Sequence, residues 1–138
     1  MNHPRVLLAD DNQPLVKRVT ELLTPLFDVV GTAHDGQDLV LQALRLTPDV
    51  IVVDISMPIL SGIEAVHRLR NAGLKSKFVF LTIHNESEFL EACLAEGAVG
   101  YVLKTQMTGD LIRAIHAAVA GRQFVSSGMS MSEGRPSM

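Results

Sequence analysis

Five polar residues of this sequence each stand at the end of a short apolar run, and their side chains have complementary chemistry. In chain order they are Asp10, Asp11, Asp54, Thr82 and Lys104. If the apolar runs are parallel strands, their carboxyl ends lie along one edge of a sheet, where ligands of such sheets bind. Each residue alone would more simply be a helix cap, a turn residue or a surface residue. Together they predict a cluster of three carboxylates, a hydroxyl and an ammonium group.

Such a cluster favours a bound cation, because crowded carboxylates repel one another and are costly to bury without a partner. Mg²⁺ prefers oxygen ligands and commonly combines carboxylates with water and phosphate oxygens. We predict that Asp11 and Asp54 bind Mg²⁺ directly and that Asp10 acts through water. The Asp54 carboxylate is also a candidate nucleophile that forms an acyl phosphate. Mg²⁺, Lys104 and Thr82 would then each bind one oxygen of the transferred phosphoryl group.

The elements that position these residues alternate regularly along the chain. The apolar runs cover residues 6–9, 27–32, 50–53, 78–81 and 99–103, and a segment of helical periodicity follows each of them. The first, third and fourth runs do not alternate between polar and apolar residues, as expected of strands that are buried on both faces. The (βα)₅ order and right-handed crossovers predict an α/β protein with a doubly wound parallel sheet of five strands.

Composition limits the functions open to the chain. Its 138 residues, 47% of them hydrophobic, suffice for one domain with its own core. The formal charge is −3 and no stripe of Lys and Arg is visible, which argues against nucleic-acid binding by this segment. No run approaches the ~20 apolar residues of a membrane span or forms a signal peptide. We therefore predict a cytoplasmic protein that does not associate with membranes.

The end of the chain differs in composition from the rest. From Ser126 onward it is rich in Ser, Gly and Met and has no periodicity. We predict a domain of residues 1–124, followed by a flexible tail or a truncated linker of residues 125–138.

Several motifs of the sequence resemble those of the receiver domain of bacterial two-component response regulators. The resemblance covers residues 5 to about 122, and its motifs are Val6–Asp11, Pro48–Pro58, Gly62, Leu81–Thr82 and Glu96–Lys104. It implies a flavodoxin-like fold with strand order 2-1-3-4-5. It also implies that a partner sensor histidine kinase donates a phosphoryl group to this chain.

The resemblance further assigns a role to each residue of the cluster. Asp54 is the phosphoacceptor, and Lys104 is the lysine that accompanies it. The residues that bind Mg²⁺ are Asp10, Asp11, Asp54 and, through its backbone carbonyl, Ser56. Thr82 and Tyr101 are the switch residues, which alter the face formed by the fourth helix, the fifth strand and the fifth helix.

Other motifs resemble the NarL/FixJ type of response regulator, in which a LuxR-type helix-turn-helix domain follows the receiver. They are Gly100–Lys104 without a following proline, Ile83 after the switch threonine, and Ala120–Ser126. This resemblance implies control of transcription through a DNA-binding domain outside this sequence, and it allows a homodimer on phosphorylation. Many receivers have a cis proline where Thr105 stands. A cis bond before Thr would cost about 3–4 kcal/mol, so the sequence leaves the placement of the Lys104 loop open.

Other functions remain as alternatives. The domain could act alone, through protein–protein interaction or as an intermediate in a phosphorelay. A phosphatase of the haloacid dehalogenase type would need an Asp where Ser56 stands, and a flavodoxin would need a loop rich in Gly and hydroxyl groups at 10–13. We predict a signalling switch that assists its own phosphorylation and dephosphorylation, rather than an enzyme with external substrates.

The histidines and the one cysteine are not predicted to carry the chemistry. No two histidines have the spacing of a helical metal site, which argues against zinc. Cys93 lies among apolar residues and is interpreted as a buried small hydrophobe. His84 stands two residues after Thr82 and can border the site, but a solvated loop histidine is the simpler interpretation.

Overall fold

Six parallel strands form one sheet in the order β2-β1-β3-β4-β5-β6. A computed structural model describes residues 3–129 of the chain. The strands are β1 (Arg5–Ala9), β2 (Asp28–Ala33), β3 (Val50–Val53), β4 (Lys77–Thr82), β5 (Gly100–Leu103) and β6 (Phe124–Val125). The predicted order 2-1-3-4-5 is confirmed, whereas the predicted number of five strands is wrong because β6 adds a sixth.

Within residues 3–129, five helices connect or follow these strands. They are α1 (Gln13–Leu23), α2 (Gly36–Leu46), α3 (Gly62–Asn71), α4 (Ser87–Ala95) and α5 (Met107–Val119), and a 3₁₀ turn at Lys104–Gln106 precedes the last. Asn12, Asp35 and Ser61 cap the first three, since each side chain accepts a hydrogen bond from the N–H three residues on. None of the helices in residues 3–129 has the length and apolar character that a bilayer-spanning helix requires.

The sheet has a hydrophobic core on each face. In β1, Leu7 and Ala9 belong to the core that also holds buried residues of α2 and α3, while Val6 and Leu8 belong to the core under α1 and α5. Successive side chains of a strand point to opposite faces, so a strand covered on both sides is apolar throughout. This explains why the first, third and fourth apolar runs lack alternation.

The residues that follow α5 fold back onto the sheet and form β6. Gly121 has φ +77°, which turns the backbone so that Phe124 and Val125 pair with Gly100 and Tyr101 of β5. The predicted boundary after residue 124 therefore falls inside β6. Ser126, the first residue of the predicted change in composition, is buried. Residues 130–138 of the predicted tail lie outside the described residues.

Candidate functional site

Three predicted carboxylates meet at the carboxyl-terminal edge of the sheet. β1 and β3 are neighbours with Ala9 opposite Val53, so the residues that follow these two lie side by side. One oxygen from each of Asp10, Asp11 and Asp54 lies within 4.8 Å of the other two. Asp10 and Asp54 are buried, whereas Asp11 is exposed. The topology thus brings together the carboxylates that the sequence placed at strand ends.

Lys104 enters this cluster from the end of β5. Its Nζ lies 2.8 Å from Oδ2 of Asp10 and 3.2 Å from Oδ2 of Asp54. Its position in the 3₁₀ turn needs no cis bond, and no cis peptide bond occurs in residues 3–129. The departure from the usual proline at Thr105 therefore does not keep the lysine from the site. The ammonium pairs with two carboxylates and Asp11 adds a third, so the cluster keeps an excess of negative charge.

Burial and neighbouring charges shift the pKa values of Asp54 and Lys104. Burial raises the pKa of Asp54, and the negative charge of Asp10 raises it further. The charge and hydrogen bond of Lys104 and the N–H of Ser56 act in the opposite direction, but the pKa stays above its ordinary value. Burial lowers the pKa of Lys104, yet the bonds and charges of Asp10 and Asp54 outweigh burial and raise it overall. Lys104 is therefore firmly charged, while ionised Asp54 is held at a cost.

These residues fit a hard divalent cation. Oδ1 of Asp10 accepts a hydrogen bond from the N–H of Asn12, at 2.9 Å. Oδ2 of Asp10 is buried and has no hydrogen bond of good geometry, although the Lys104 ammonium forms a close ion pair with it. Oxygen donors with surplus negative charge are the ligands that Mg²⁺ prefers. No histidine joins this acidic group, the one group of at least three potential metal ligands within residues 3–129.

The two predicted switch residues are linked through the backbone of His84. Thr82 is fully buried, and its Oγ1 accepts a hydrogen bond from the N–H of His84 at 3.2 Å. Tyr101 is also fully buried, and its hydroxyl donates to the carbonyl oxygen of His84 at 2.7 Å. Movement of either side chain would therefore change a hydrogen bond to the loop between β4 and α4.

The side chain of His84 borders the site as well. Its Nε2 lies 3.1 Å from Oγ of Ser56, and its ring stacks on Phe89 of α4 at 4.1 Å between centroids. His84 lies in a loop, as interpreted, but its side chain is only 24% exposed and makes these contacts at the site. Its spacing from Thr82 was the one sequence signal for this position. The Ser56 carbonyl, in contrast, remains a prediction as a metal ligand.

Gly62 fixes the loop that carries Asp54. An ideal Cβ on Gly62 would lie 1.9 Å from the backbone oxygen of Asp54, a distance that no side chain tolerates. The N–H of Gly62 also donates to the carbonyl oxygen of Ile55 at 2.8 Å. The start of α3 thus packs directly on the loop that begins at Asp54. Gly62 belongs to the motifs that resemble receiver domains, and the close contact with Asp54 explains why a glycine is needed there.

Cys93 lies away from this chemistry. The thiol is buried, and burial raises its pKa to about 12. A thiol with so high a pKa is a poor nucleophile. The prediction of a buried small hydrophobe is confirmed.

Comparisons with known proteins agree with this site. The family described as "Response regulator receiver domain" matches residues 6–116. The nitrate/nitrite response regulator protein NarL of Escherichia coli strain K12 is 35% identical over 127 residues, which are 91% of this chain and 59% of that protein. The uncharacterized transcriptional regulatory protein YxjL of Bacillus subtilis strain 168 is 42% identical over 121 residues, covering 85% of this chain and 55% of that protein.

A solved structure shows the same fold. The two-component response regulator of the LuxR family from Aurantimonas sp. SI85-9A1 superposes with a TM-score of 0.86 and 30% sequence identity, covering 91% of both chains. This chain spans less than two thirds of the two relatives named above, so their full activities are not transferred to it. The chain belongs to the receiver domains of two-component response regulators, and its relatives are regulators of the NarL and LuxR families.

Proposed function

We propose that this domain accepts a phosphoryl group on Asp54 from a phosphohistidine of a partner sensor kinase, in a reaction that depends on Mg²⁺. The observation that carries the proposal is the pairing of a buried Asp54 with Lys104, at 3.2 Å, inside a cluster of three carboxylates. Raised pKa values and surplus charge at one edge of a doubly wound sheet are typical of a functional site.

The positions of the side chains support the following group transfer. A carboxylate oxygen of Asp54 attacks the phosphorus, the bond between phosphorus and the donor's imidazole nitrogen breaks, and the electron pair stays on that nitrogen. The Lys104 ammonium is close enough to follow the new charge onto a phosphoryl oxygen. Dephosphorylation is the attack of water on the same phosphorus, which returns the Asp54 carboxylate and inorganic phosphate.

Asp10, Asp11, Asp54 and the backbone carbonyl of Ser56 would hold the metal. When bound, Mg²⁺ neutralises charge on the phosphoryl oxygens. Asp11 is exposed and suited to direct binding. Asp10 already binds the N–H of Asn12 and the Lys104 ammonium, which supports a role through water.

Phosphorylation would reach the surface through Thr82 and Tyr101. Thr82 donates its hydroxyl hydrogen to a phosphoryl oxygen, and the His84 backbone that binds Thr82 moves with it. Tyr101 lies inward in this structure and binds the same peptide segment, so the face formed by α4, β5 and α5 changes with it. This face would control a homodimer or a DNA-binding domain outside this chain. The named transcriptional regulators among the relatives favour that output over a receiver that acts alone.

Intact mass spectrometry tests the proposal. The parent protein, incubated with acetyl phosphate and Mg²⁺, should gain one phosphoryl group, and chelation of the metal should prevent this. Asp54→Asn should remain unlabelled because it lacks the nucleophile. Asp49→Asn, at the opposite edge of the sheet, serves as the matched control and should be labelled like the parent. Full labelling of Asp54→Asn would contradict the proposal.

A further inference from the structure

The segment after α5 folds back beside the strand that leads to Lys104. The N–H of Phe124 donates to the carbonyl oxygen of Val99, and the N–H of Ser126 donates to that of Tyr101, both at 2.9 Å. These bonds hold residues 124–126 alongside β5, where β6 is the outermost strand of the sheet. We call residues 124–129 the docked segment.

Ser126 continues the contact with β5 through its side chain. The residue is only 2% exposed. Its Oγ accepts a hydrogen bond from the N–H of Leu103 at 3.1 Å and donates one to Oδ2 of Asp110, in the first turn of α5, at 2.7 Å. A buried backbone N–H needs a partner, and Ser126 supplies it for Leu103. Leu103 is the residue directly before Lys104.

The rest of the docked segment lies against the same connection. A Cβ on Gly128 would lie 2.9 Å from Nε2 of Gln106 and 3.0 Å from Cδ1 of Leu103, so the backbone approaches the 3₁₀ turn closely. Met129 packs against the hydrophobic core that includes Tyr101 and Leu103. The docked segment therefore contacts both ends of the loop that carries Lys104.

We propose that Ser126 is a positioning residue for the phosphorylation site, and that occupation of Asp54 and docking of residues 124–129 are coupled through the Leu103–Lys104 backbone. The inference rests on the proposed function of Asp54. The position of the Lys104 backbone determines whether its Nζ can reach Asp10 and Asp54. The Ser126 hydroxyl fixes that position because it binds the backbone N–H of the residue before Lys104.

The coupling works in both directions. If the docked segment favours a bound phosphoryl group, the bound group favours docking by the same factor, because linkage between two equilibria is reciprocal. The end of the receiver would thus respond to phosphorylation through β5 and Lys104. This route does not pass through the hydroxyl of Thr82.

Binding of beryllofluoride, a mimic of the phosphoryl group, tests the coupling in the full chain with saturating Mg²⁺. We expect Ser126→Ala to weaken beryllofluoride binding about fivefold or more. Mg²⁺ affinity alone should change less than about twofold, because the three carboxylates are not held by Ser126. Ser126→Thr keeps the hydroxyl and should restore binding. The control is Ser127→Ala, which alters the exposed neighbour and should bind like the parent.

Hydrogen exchange in the parent supplies the reciprocal measurement and needs no variant. Beryllofluoride should slow exchange of the Ser126 and Leu103 amides by about the factor that Ser126→Ala costs in binding. This arm decides the question if Ser126→Ala fails to fold. Unchanged exchange at both amides, or parent-like binding by a folded Ser126→Ala protein, would overturn the inference. A parent that binds no beryllofluoride, or an Asp54→Asn variant that binds it equally well, would overturn the proposed function and the inference with it.

Discussion

The polar groups at the amino-terminal edge of the sheet are paired differently from those at the carboxyl-terminal edge. At the amino-terminal edge, the N–H of Arg5 donates to Oδ2 of Asp49 at 2.8 Å and its guanidinium donates to the carbonyl oxygen of Thr47 at 3.0 Å. The buried hydroxyl of Ser76 donates to the carbonyl oxygen of Pro48 nearby. These donors and acceptors are matched within the chain itself.

The carboxyl-terminal edge is not matched in this way. Asp10 and Asp54 share the ammonium of Lys104, Asp11 adds a third carboxylate, and an oxygen of Asp10 is buried without a hydrogen bond of good geometry. Unbalanced charged groups in a folded protein are typical of functional sites. The surplus negative charge at the carboxyl-terminal edge therefore indicates a site for a ligand. The site is therefore marked by negative charge that the side chains of the domain leave unbalanced.

The largest effect is expected where the backbone itself supports the unbalanced edge. Gly62→Ala would place a Cβ 1.9 Å from the Asp54 backbone oxygen and force α3 away from it. We expect a loss of about 3 kcal/mol in the free energy of unfolding and slower phosphorylation. Gly109→Ala, in α5 with no atom within 4 Å of the added Cβ, is the control and should be neutral or stabilising. Urea denaturation measures both, and equal stability of the two variants would contradict the steric argument.

Removal of the one cation at the site should have the next largest effect. Lys104→Met leaves two buried carboxylates without a counter-charge, and we expect a loss of about 2 kcal/mol in the absence of metal. Saturating Mg²⁺ should recover part of the loss, because the metal replaces the missing charge. Lys77→Met, at the exposed start of β4, should change stability by less than about 0.5 kcal/mol. Denaturation with and without Mg²⁺ measures the difference, and no recovery with the metal would speak against a cation site.

How far the sequence predicted this asymmetry depends on which residues topology alone can place. Asp10, Asp54 and Lys104 were predictable, since the carboxyl ends of parallel strands must share an edge. The place of Ser126 was not predictable, because the residues around it have the composition of a linker. Its burial depends on two hydrogen bonds to residues distant in sequence. A strand of two residues, β6, has no periodicity to detect. Contacts between residues that are distant in sequence are not visible in the local sequence pattern around either residue.

The raised pKa of Asp54 predicts that the stability of the domain depends on pH. A carboxyl whose pKa is higher in the folded than in the unfolded state binds its proton more tightly when folded. Its contribution to stability is therefore present at low pH and is lost as the pH rises through the folded pKa. Asp54→Asn should remove this loss and be more stable than the parent at neutral pH without metal, by about 1 kcal/mol.

Thermal unfolding of the two proteins from acid to neutral pH measures this effect. Mg²⁺ should raise the midpoint of the parent more than that of Asp54→Asn, because the variant lacks one ligand. Asp11→Asn is the control for the series without metal, since it removes an exposed charge from the same cluster. A parent whose stability rises steadily with pH relative to Asp54→Asn would show that the ionised carboxylate is not held at a cost.

The smallest effect is expected at the matched edge. Asp49→Ala removes the acceptor for the N–H of Arg5, but the site is exposed and water can replace the lost partner. We expect a loss of about 0.5–1 kcal/mol, little dependence on Mg²⁺, and phosphorylation of Asp54 at the rate of the parent. The same denaturation and mass measurements apply. If Asp49→Ala impaired phosphorylation as strongly as Lys104→Met, the two edges would not be independent, and the surplus charge at the carboxyl-terminal edge would no longer mark the site by itself.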